Sequence, residues 1–181
     1  MKAPTLQGEM IVLRPLEARD ADAVYELLAD PEGRRQVGST RQYARDQVPE
    51  AIAAAAAADD RIVLAVTANG SDEYLGQIAL EAIDLVVRRA AVTLQMRPAY
   101  RGRGYGTEAI ELVLGFAFDG LGLHRIGLQV LTINARAMSL YENLGFRVEG
   151  RLRDAYRDGD GWCDGVVMGL LEDEYRAGQP A

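Results

Sequence analysis

The segment PAYRGRGYGTE, residues 98–108, stands between an apolar strand pattern, AAVTLQM (90–96), and a strongly amphipathic helix pattern. Glycines at such a junction let backbone amides approach a ligand closely and adopt positive φ. Free N–H groups at the start of a helix, with the helix dipole behind them, form an anion site. Arg101 and Arg103 add guanidinium donors that suit phosphate oxygens. The loop therefore predicts a binding site for a pyrophosphate.

Two other phosphate-binding patterns do not fit this loop. The glycine spacing is G-x-G-x-G, and Thr107 stands where a dinucleotide-binding loop requires its last glycine. The next predicted strand ends at Val130, Leu131 and Thr132, without the acid that would hold a ribose. The chain also lacks the Gly-Lys-Ser/Thr of a Walker A loop. Taken alone, however, a glycine-rich pattern is equally typical of an ordinary turn.

Periodicity predicts the elements on both sides of the loop. Before it, the pattern predicts a strand at 10–17, a helix at 21–30 closed by Pro31 and Gly33, one helix over 41–58, and strands at 61–68, 74–84 and 90–96. After it, the pattern predicts a helix ending at 120–122, a strand at 125–132, a helix over 134–144, and strands at 146–152 and 163–171 joined by a long polar connection. The order indicates a mixed α/β (α+β) domain with a largely antiparallel sheet.

Composition excludes several classes of function. The 181 residues, 49% hydrophobic and 26% charged, fit one soluble domain over 1–181. With no apolar N-terminal segment and no membrane-length apolar run, we expect a cytoplasmic protein. The net charge of −7 argues against nucleic acid and anionic membranes as partners. One cysteine (Cys163), one histidine (His124) and one lysine (Lys2) argue against a metal site and against Cys/His or Schiff-base catalysis.

A second segment, NARAMSLYENLGF (134–146), also carries a recognisable spacing. Asn134 suits a helix N-cap, and Tyr141 falls on the apolar side of the helix two turns later. The two segments together resemble the GNAT N-acetyltransferase superfamily, whose acyl-CoA loop matches Arg101, Gly104 and Gly106. Its second motif matches Asn134, Tyr141, Gly145 and Phe146. Within it the chain is similar to the branch of ribosomal-protein alanine and spermidine acetyltransferases, for example at LGLHR (121–125) and GRLR (150–153).

The resemblance implies a domain whose central strands splay apart around acetyl-CoA. It implies that the co-substrate contacts Leu94, Met96, Arg101, Gly102, Arg103, Gly104, Tyr105, Gly106, Thr107, Asn134 and Tyr141. Tyr141 is then the general acid for the departing thiolate, and a backbone N–H near Met96 meets the oxyanion. Related enzymes often carry an acid after Arg88-Arg89-Ala90, where this chain has Ala91. Glu81, or Asp84, is the remaining candidate for a base acting through water.

The sequence does not identify the amine that accepts the acetyl group. A polyamine, a protein N-terminus, an aminoglycoside-like compound and another small amine all fit, and exposed closing strands favour a homodimer. Trp162 fits either the acceptor pocket or a subunit contact. The alternatives to an enzyme are an acyl-CoA-binding sensor without turnover and, less consistent with the loop, a dinucleotide-binding protein.

Overall fold

A computed structural model describes residues 1–178 of the chain. The strands are β1 (Leu6–Gln7), β2 (Ile11–Pro15), β3 (Ile62–Ala68), β4 (Tyr74–Asp84), β5 (Arg89–Met96), β6 (Arg125–Leu131), β7 (Arg147–Asp158) and β8 (Gly161–Leu171). The helices are α1 (Ala21–Ala29), α2 (Pro31–Val37), α3 (Val48–Ala57), α4 (Tyr105–Gly115), α5 (Ala135–Asn143) and α6 (Glu172–Ala177). Most predicted elements are present, with ends shifted by about one or two residues, while the helix predicted to end at 120–122 consists of α4 followed by a π-helical turn, Phe116–Gly120.

The strands form one eight-stranded sheet in the order β1-β2-β3-β4-β5-β6-β8-β7. Every neighbouring pair is antiparallel except β5 and β6, which are parallel. The prediction of a mixed, mostly antiparallel sheet is therefore confirmed.

Alternation along the strands divides the core between the two faces of the sheet. On β3, Leu64 and Val66 belong to the larger cluster, which includes Ile110 and Leu114 of α4. Ala65, between them, belongs to a second cluster formed with side chains of α1 and α3. The glycine loop at the start of α4 and the pair α1/α3 therefore lie on opposite faces of the sheet. Within residues 1–178, no helix combines the length and apolar character that a bilayer crossing requires.

The single helix predicted over 41–58 is wrong in its N-terminal half. A 3-10 turn, Arg45–Gln47, precedes α3, which begins only at Val48. Pro49 lies in the first turn of α3, where its missing N–H costs nothing. In the interior of a longer helix, the proline ring would clash with the preceding turn and remove a hydrogen bond.

The prediction that Pro31 and Gly33 only close the first helix is also wrong. α1 does end at Ala29, but Pro31 then begins α2. Asp30 is extended, and its carboxylate accepts a hydrogen bond from the Gly33 N–H at 2.9 Å. An N-cap aspartate followed by proline starts a helix as readily as proline ends one.

The long polar connection predicted after residue 152 is strand as well. β7 and β8 form a hairpin around the two-residue turn Gly159–Asp160, with Tyr156 opposite Cys163. β7 lies at the edge of the sheet and is largely exposed, so an apolar alternation is not required of it. Cross-strand ion pairs, such as Arg151 with Asp164, stabilise β7 on β8 instead. The short elements β1 and α6 were not predicted either.

Candidate active site

The parallel strands β5 and β6 separate partway along their length. They pair through three positions only, the last being Ala91 opposite Gly127. Beyond it, β5 continues to Met96 bonded to β4, and β6 continues to Leu131 bonded to β8. Backbone groups on the two facing edges are thus left without strand partners, and a slot opens between them. This confirms the predicted splay of the central strands.

The glycine loop ends next to this slot with a row of free donors. Gly102 and Gly104 have φ of +80° and +88°, as expected of glycines in such a loop. The four N–H groups from Gly104 to Thr107 have no hydrogen-bond acceptor among residues 1–178. A Cβ on Gly106 would lie 3.1 Å from the Leu94 side chain, so the start of α4 packs directly on β5. The loop is built to receive an anion.

Three arginines in or beside the loop make different contacts. Arg101 donates to the Asp30 carboxylate at 2.7 Å and to the Met96 carbonyl at 2.9 Å, so it ties the loop to α2. Arg103 is exposed and has no ion pair within the described part of the chain, and its guanidinium lies 5.9 Å from the Tyr100 ring centroid. Arg136, in the first turn of α5, lies over Gly102. The sequence prediction omitted Arg136, although a cation at a helix N-terminus opposes the helix dipole and so indicates an external anion.

A cavity of about 700 Å³ lies on the other face of the sheet, between the strands and α1 and α3. Its lining includes Leu94 and Gln95 beside the slot, and it reaches α5. Four of the predicted site residues meet there: Glu81, Leu94, Asn134 and Tyr141. Met96 and residues 101–107 lie outside the lining. The slot between β5 and β6 therefore joins two groups of predicted residues on the two faces of the sheet.

The α5 helix positions Tyr141 at this junction. Asn134 is its N-cap, as predicted, and its side-chain oxygen accepts from the Ala137 N–H at 3.2 Å. The Tyr141 ring packs edge-on against Phe146 with 5.6 Å between centroids, and only 7% of the residue is exposed. Its hydroxyl has no hydrogen-bond partner among residues 1–178. Burial raises the pKa of Tyr141 to about 12, so the phenol keeps its proton at neutral pH.

Glu81 stands directly opposite Ala91 in the β4–β5 ladder. Facing residues of an antiparallel pair project to the same side of the sheet. The carboxylate of Glu81 therefore lies next to position 91, where related enzymes carry their acid. It forms an ion pair with Arg61 at 3.2 Å. Asp84, the other candidate, instead accepts hydrogen bonds from two N–H groups of the turn after β4.

Three arginines of the cavity were not predicted as site residues. Arg34 belongs to α2, Arg41 to the segment between α2 and α3, and Arg61 to the start of β3. The sequence pattern left Arg34 in the segment after a predicted helix and placed Arg41 at the start of a long one, and charged residues normally face solvent in both places. Trp162 is 57% exposed and does not line the cavity.

The sequence pattern of the acetyltransferase (GNAT) domain matches residues 10–147, which include the loop, the slot and Tyr141. The chain belongs to the GNAT acetyltransferase family. It is an N-acetyltransferase, and acetyl-CoA is its co-substrate. The resemblance seen in the sequence is thereby confirmed.

The names of the relatives of this acetyltransferase do not agree on one acceptor. An uncharacterized N-acetyltransferase, p20, of Bacillus licheniformis is 27% identical over 175 residues, 94% of this chain and 98% of that protein. The spermidine N(1)-acetyltransferase of Escherichia coli (strain K12) is 31% identical over 105 residues, 58% of this chain and 56% of that protein. The putative ribosomal N-acetyltransferase YdaF of Bacillus subtilis is 26% identical over 93% of this chain and 94% of its own length.

A solved structure shares the fold closely. A spermidine N-acetyltransferase from Vibrio cholerae, in complex with CoA and spermine, matches with a TM-score of 0.87 at 24% identity, over 93% of this chain and 99% of that one. This likeness shows a common architecture for the whole acetyltransferase sheet and its helices.

Gly104→Val should weaken acetyl-CoA binding by about tenfold or more while the protein stays folded. A valine would strain a backbone at φ +88° and place a side chain beside the free N–H groups, although its Cβ would meet only the Met10 methyl at 3.3 Å. Titration calorimetry measures the affinity. Gly122→Val is the matched control, because Gly122 also has a positive φ, +65°, in open space away from the loop. Equal affinities for Gly104→Val and wild type would show that the glycine loop does not bind the phosphates of acetyl-CoA.

Proposed function

We propose that the enzyme transfers the acetyl group of acetyl-CoA directly to a primary amine, with Tyr141 as the proton donor to the departing sulfur. The observation that carries the proposal is the Tyr141 hydroxyl: Tyr141 lines the cavity together with Ala91 and Gly127, where the slot begins, and its hydroxyl has no hydrogen-bond partner among residues 1–178. A tyrosine that served only the core would be expected to have its hydroxyl satisfied.

In this proposal the two faces of the sheet hold different parts of the co-substrate. The pyrophosphate lies on the N–H groups from Gly104 to Thr107, with Arg103 and Arg136 as its cationic neighbours. The pantetheine arm follows the unpaired edge of β5 past Leu94 and Met96, in the manner of an added strand. The thioester then reaches the cavity, where the amine approaches from the side of α1, α2 and α3.

Proton balance defines the roles of the cavity residues. An alkyl amine has a pKa of about 10.4, so it must lose a proton before it attacks, and its product loses another. The departing thiolate, with a pKa of about 8.5, gains one. Tyr141 passes its proton to the sulfur as negative charge develops there, and burial, which raises the pKa of its phenol to about 12, makes it recover a proton readily. One of the two protons lost by the amine nitrogen returns to Tyr141 and the other goes to the base, so the products are one amide, one thiol and one released proton.

Glu81 is the proposed acceptor of the amine proton, through water and shared with solvent. Its position opposite Ala91 supports this role. Its ion pair with Arg61 makes it a weaker proton acceptor, because the positive charge stabilises the carboxylate. Glu81→Gln should therefore lower turnover by less than about a hundredfold, with acetyl-CoA affinity kept. Asp84→Asn, on the same strand outside the cavity lining, is the matched control. A loss beyond about a thousandfold would contradict the shared role and make Glu81 the sole base.

An acceptor screen tests the proposal as a whole. Release of CoA thiol is followed with spermidine, a peptide N-terminus, an aminoglycoside and simple amines, and mass spectrometry identifies the acetylated product. The rate with the true acceptor should rise between about pH 6 and pH 8.5, because more amine is deprotonated. Tight binding of acetyl-CoA without turnover of any amine would favour the sensor alternative instead.

The proposal includes three features of the whole chain. Residues 1–181 form one domain, supported by a single sheet that runs from Leu6 to Leu171. Two copies associate through the β7–β8 hairpin, where Val148, Leu152 and Trp162 are exposed. The enzyme acts in the cytoplasm, in keeping with Cys163 as its only cysteine.

A further inference from the structure

We propose that the acceptor amine carries an anionic oxygen group, a carboxylate or a phosphate, which Arg34 and Arg41 bind at the α2 side of the cavity. This inference rests on the proposed function, since it assigns the acceptor class of the same site. The observation behind it is a set of cationic side chains in the cavity that the protein itself does not neutralise.

The α2 helix is held over the cavity at both ends. At its start, the Asp30 carboxylate caps the helix and also pairs with Arg101 of the glycine loop. At its end, Arg35 pairs with Asp158 of β7 at 2.6 Å. A Cβ on Gly38 would lie 2.2 Å from the Tyr156 ring, so the helix end packs directly on the hairpin. The helix that carries Arg34 is therefore held beside the cavity by contacts at both of its ends.

Arg34 brings a positive charge to this cavity that no carboxylate of residues 1–178 neutralises. It lines the cavity, and no Asp or Glu among residues 1–178 lies within ion-pair distance of it. Its Nε is buried and lacks a hydrogen-bond partner, and it is the one buried side-chain nitrogen or oxygen in the described residues of which this is true. The burial of this nitrogen holds the stem of the side chain inside the protein, and its unpaired N–H shows that no protein acceptor offsets the cost. Guanidinium groups bind carboxylates and phosphates with two parallel hydrogen bonds.

Arg41 adds a second positive charge without a counterion. Its guanidinium lies 4.4 Å from the Tyr43 ring centroid, and it forms no ion pair within residues 1–178. Arg61, the third arginine of the cavity, is already paired with Glu81, the one acidic residue of the lining. Because the chain as a whole carries a net charge of −7, this local excess of positive charge is opposite in sign to the rest of the protein.

The charge pattern separates two kinds of acceptor. A polyamine would bring further ammonium groups next to Arg34 and Arg41, and like charges in a partly buried site repel. An amine with an anionic group would satisfy both arginines and leave its amine toward Tyr141 and Glu81. The names of the spermidine-acetylating relatives do not fix the acceptor of this chain, whose cavity lining has Glu81 as its one acidic residue.

The experiment compares pairs of amines that differ only in the anionic group. Lysine is paired with cadaverine, ornithine with putrescine, and phosphoethanolamine with ethanolamine, and kcat/KM is measured by thiol release. We expect the anionic member to be preferred by about tenfold or more in at least one pair. The pair that shows the preference identifies carboxylate or phosphate as the group bound.

Variants then assign the preference to the arginines. Arg34→Gln combined with Arg41→Gln should reduce the preference to within about threefold, mainly through KM of the anionic member. Arg45→Gln is the matched control, because Arg45 lies on the same side of the protein, is exposed and does not line the cavity. It should leave the preference unchanged. If a thermal melt shows that the double variant is unfolded, Arg41→Gln alone is used, because Arg41 is exposed. It should still lower the preference for the anionic member by about twofold to fivefold.

The possible results distinguish failure of this inference from failure of the proposed function. Turnover of cadaverine, putrescine or spermidine in preference to every anionic amine would overturn this inference and leave the proposed function intact. The same holds if the double variant keeps the wild-type preference. Binding of acetyl-CoA with no turnover of any amine would overturn the proposed function and, with it, the acceptor class.

Discussion

Tyr141→Phe should lower turnover by roughly 10²–10⁴-fold, with little change in acetyl-CoA affinity. The substitution removes the hydroxyl and keeps the ring, so the edge-on contact with Phe146 persists. Because the hydroxyl has no protein partner among residues 1–178, the free energy of unfolding should change by less than about 1 kcal/mol. Single-turnover kinetics and a thermal melt measure the two effects.

Tyr74→Phe is the matched control for this variant. Tyr74 is also buried, at 6% exposure, but it lies outside the cavity lining and its hydroxyl donates to Gln77 at 3.2 Å. It should therefore lose about 1 kcal/mol of stability and keep its turnover. If Tyr141→Phe turns over within about threefold of wild type, with chemistry rate-limiting, Tyr141 is a core residue and water supplies the proton.

Asp20→Ala should lower the free energy of unfolding by about 3 kcal/mol, which corresponds to a fall in Tm of roughly 6–12 °C for a chain of this size. Asp20 is 5% exposed and accepts two hydrogen bonds of 2.8 Å from Arg14, itself 9% exposed. Removing one partner of a buried pair leaves the other charge uncompensated. The expected loss lies at the lower end of the usual range, because Asp72 still accepts from Arg14 at 2.7 Å.

The pH dependence of this effect follows from the sign of the pKa shift. Burial of Asp20 raises its pKa, but the hydrogen bonds from Arg14 and from the Glu17 N–H outweigh burial and leave it below the ordinary value. A lowered folded pKa stabilises the protein above the unfolded pKa of about 3.9, and this stabilisation is lost as the pH falls through the folded value. The difference between wild type and Asp20→Ala should therefore be constant near neutral pH and shrink in acid.

Asp22→Ala provides the comparison for that measurement. Asp22 lies in the first turn of α1, two residues after Asp20, and pairs with Arg45, but its side chain is 78% exposed. An exposed ion pair contributes less than about 1 kcal/mol, because water screens the charges. Chemical denaturation of both variants, with the unfolding slope checked for change, measures the difference. Equal losses for Asp20→Ala and Asp22→Ala would show that the buried pair is not a special source of stability.

The sequence by itself determined those features that depend on local spacing. Period-two and helical patterns place the strands from Ile62 to Met96 and the helices α4 and α5, because each pattern reflects burial of one face of one element. The glycines at 102 and 104 and the Asn134–Tyr141 spacing lie within single segments, so they predict the loop and the helix that carries Tyr141 without knowledge of the fold. The family follows from the same two segments.

Only the tertiary structure decided which distant residues share the site. The β4–β5 register brings Glu81 opposite Ala91, and no local pattern encodes a register. The β7 strand is polar because its stability comes from pairing with β8, so its sequence resembles a connection. α2 depends on contacts with the glycine loop and the hairpin at its two ends, and it places Arg34 over the cavity. Charged side chains on a short helix normally indicate solvent, and packing against other elements is what places Arg34 at the cavity.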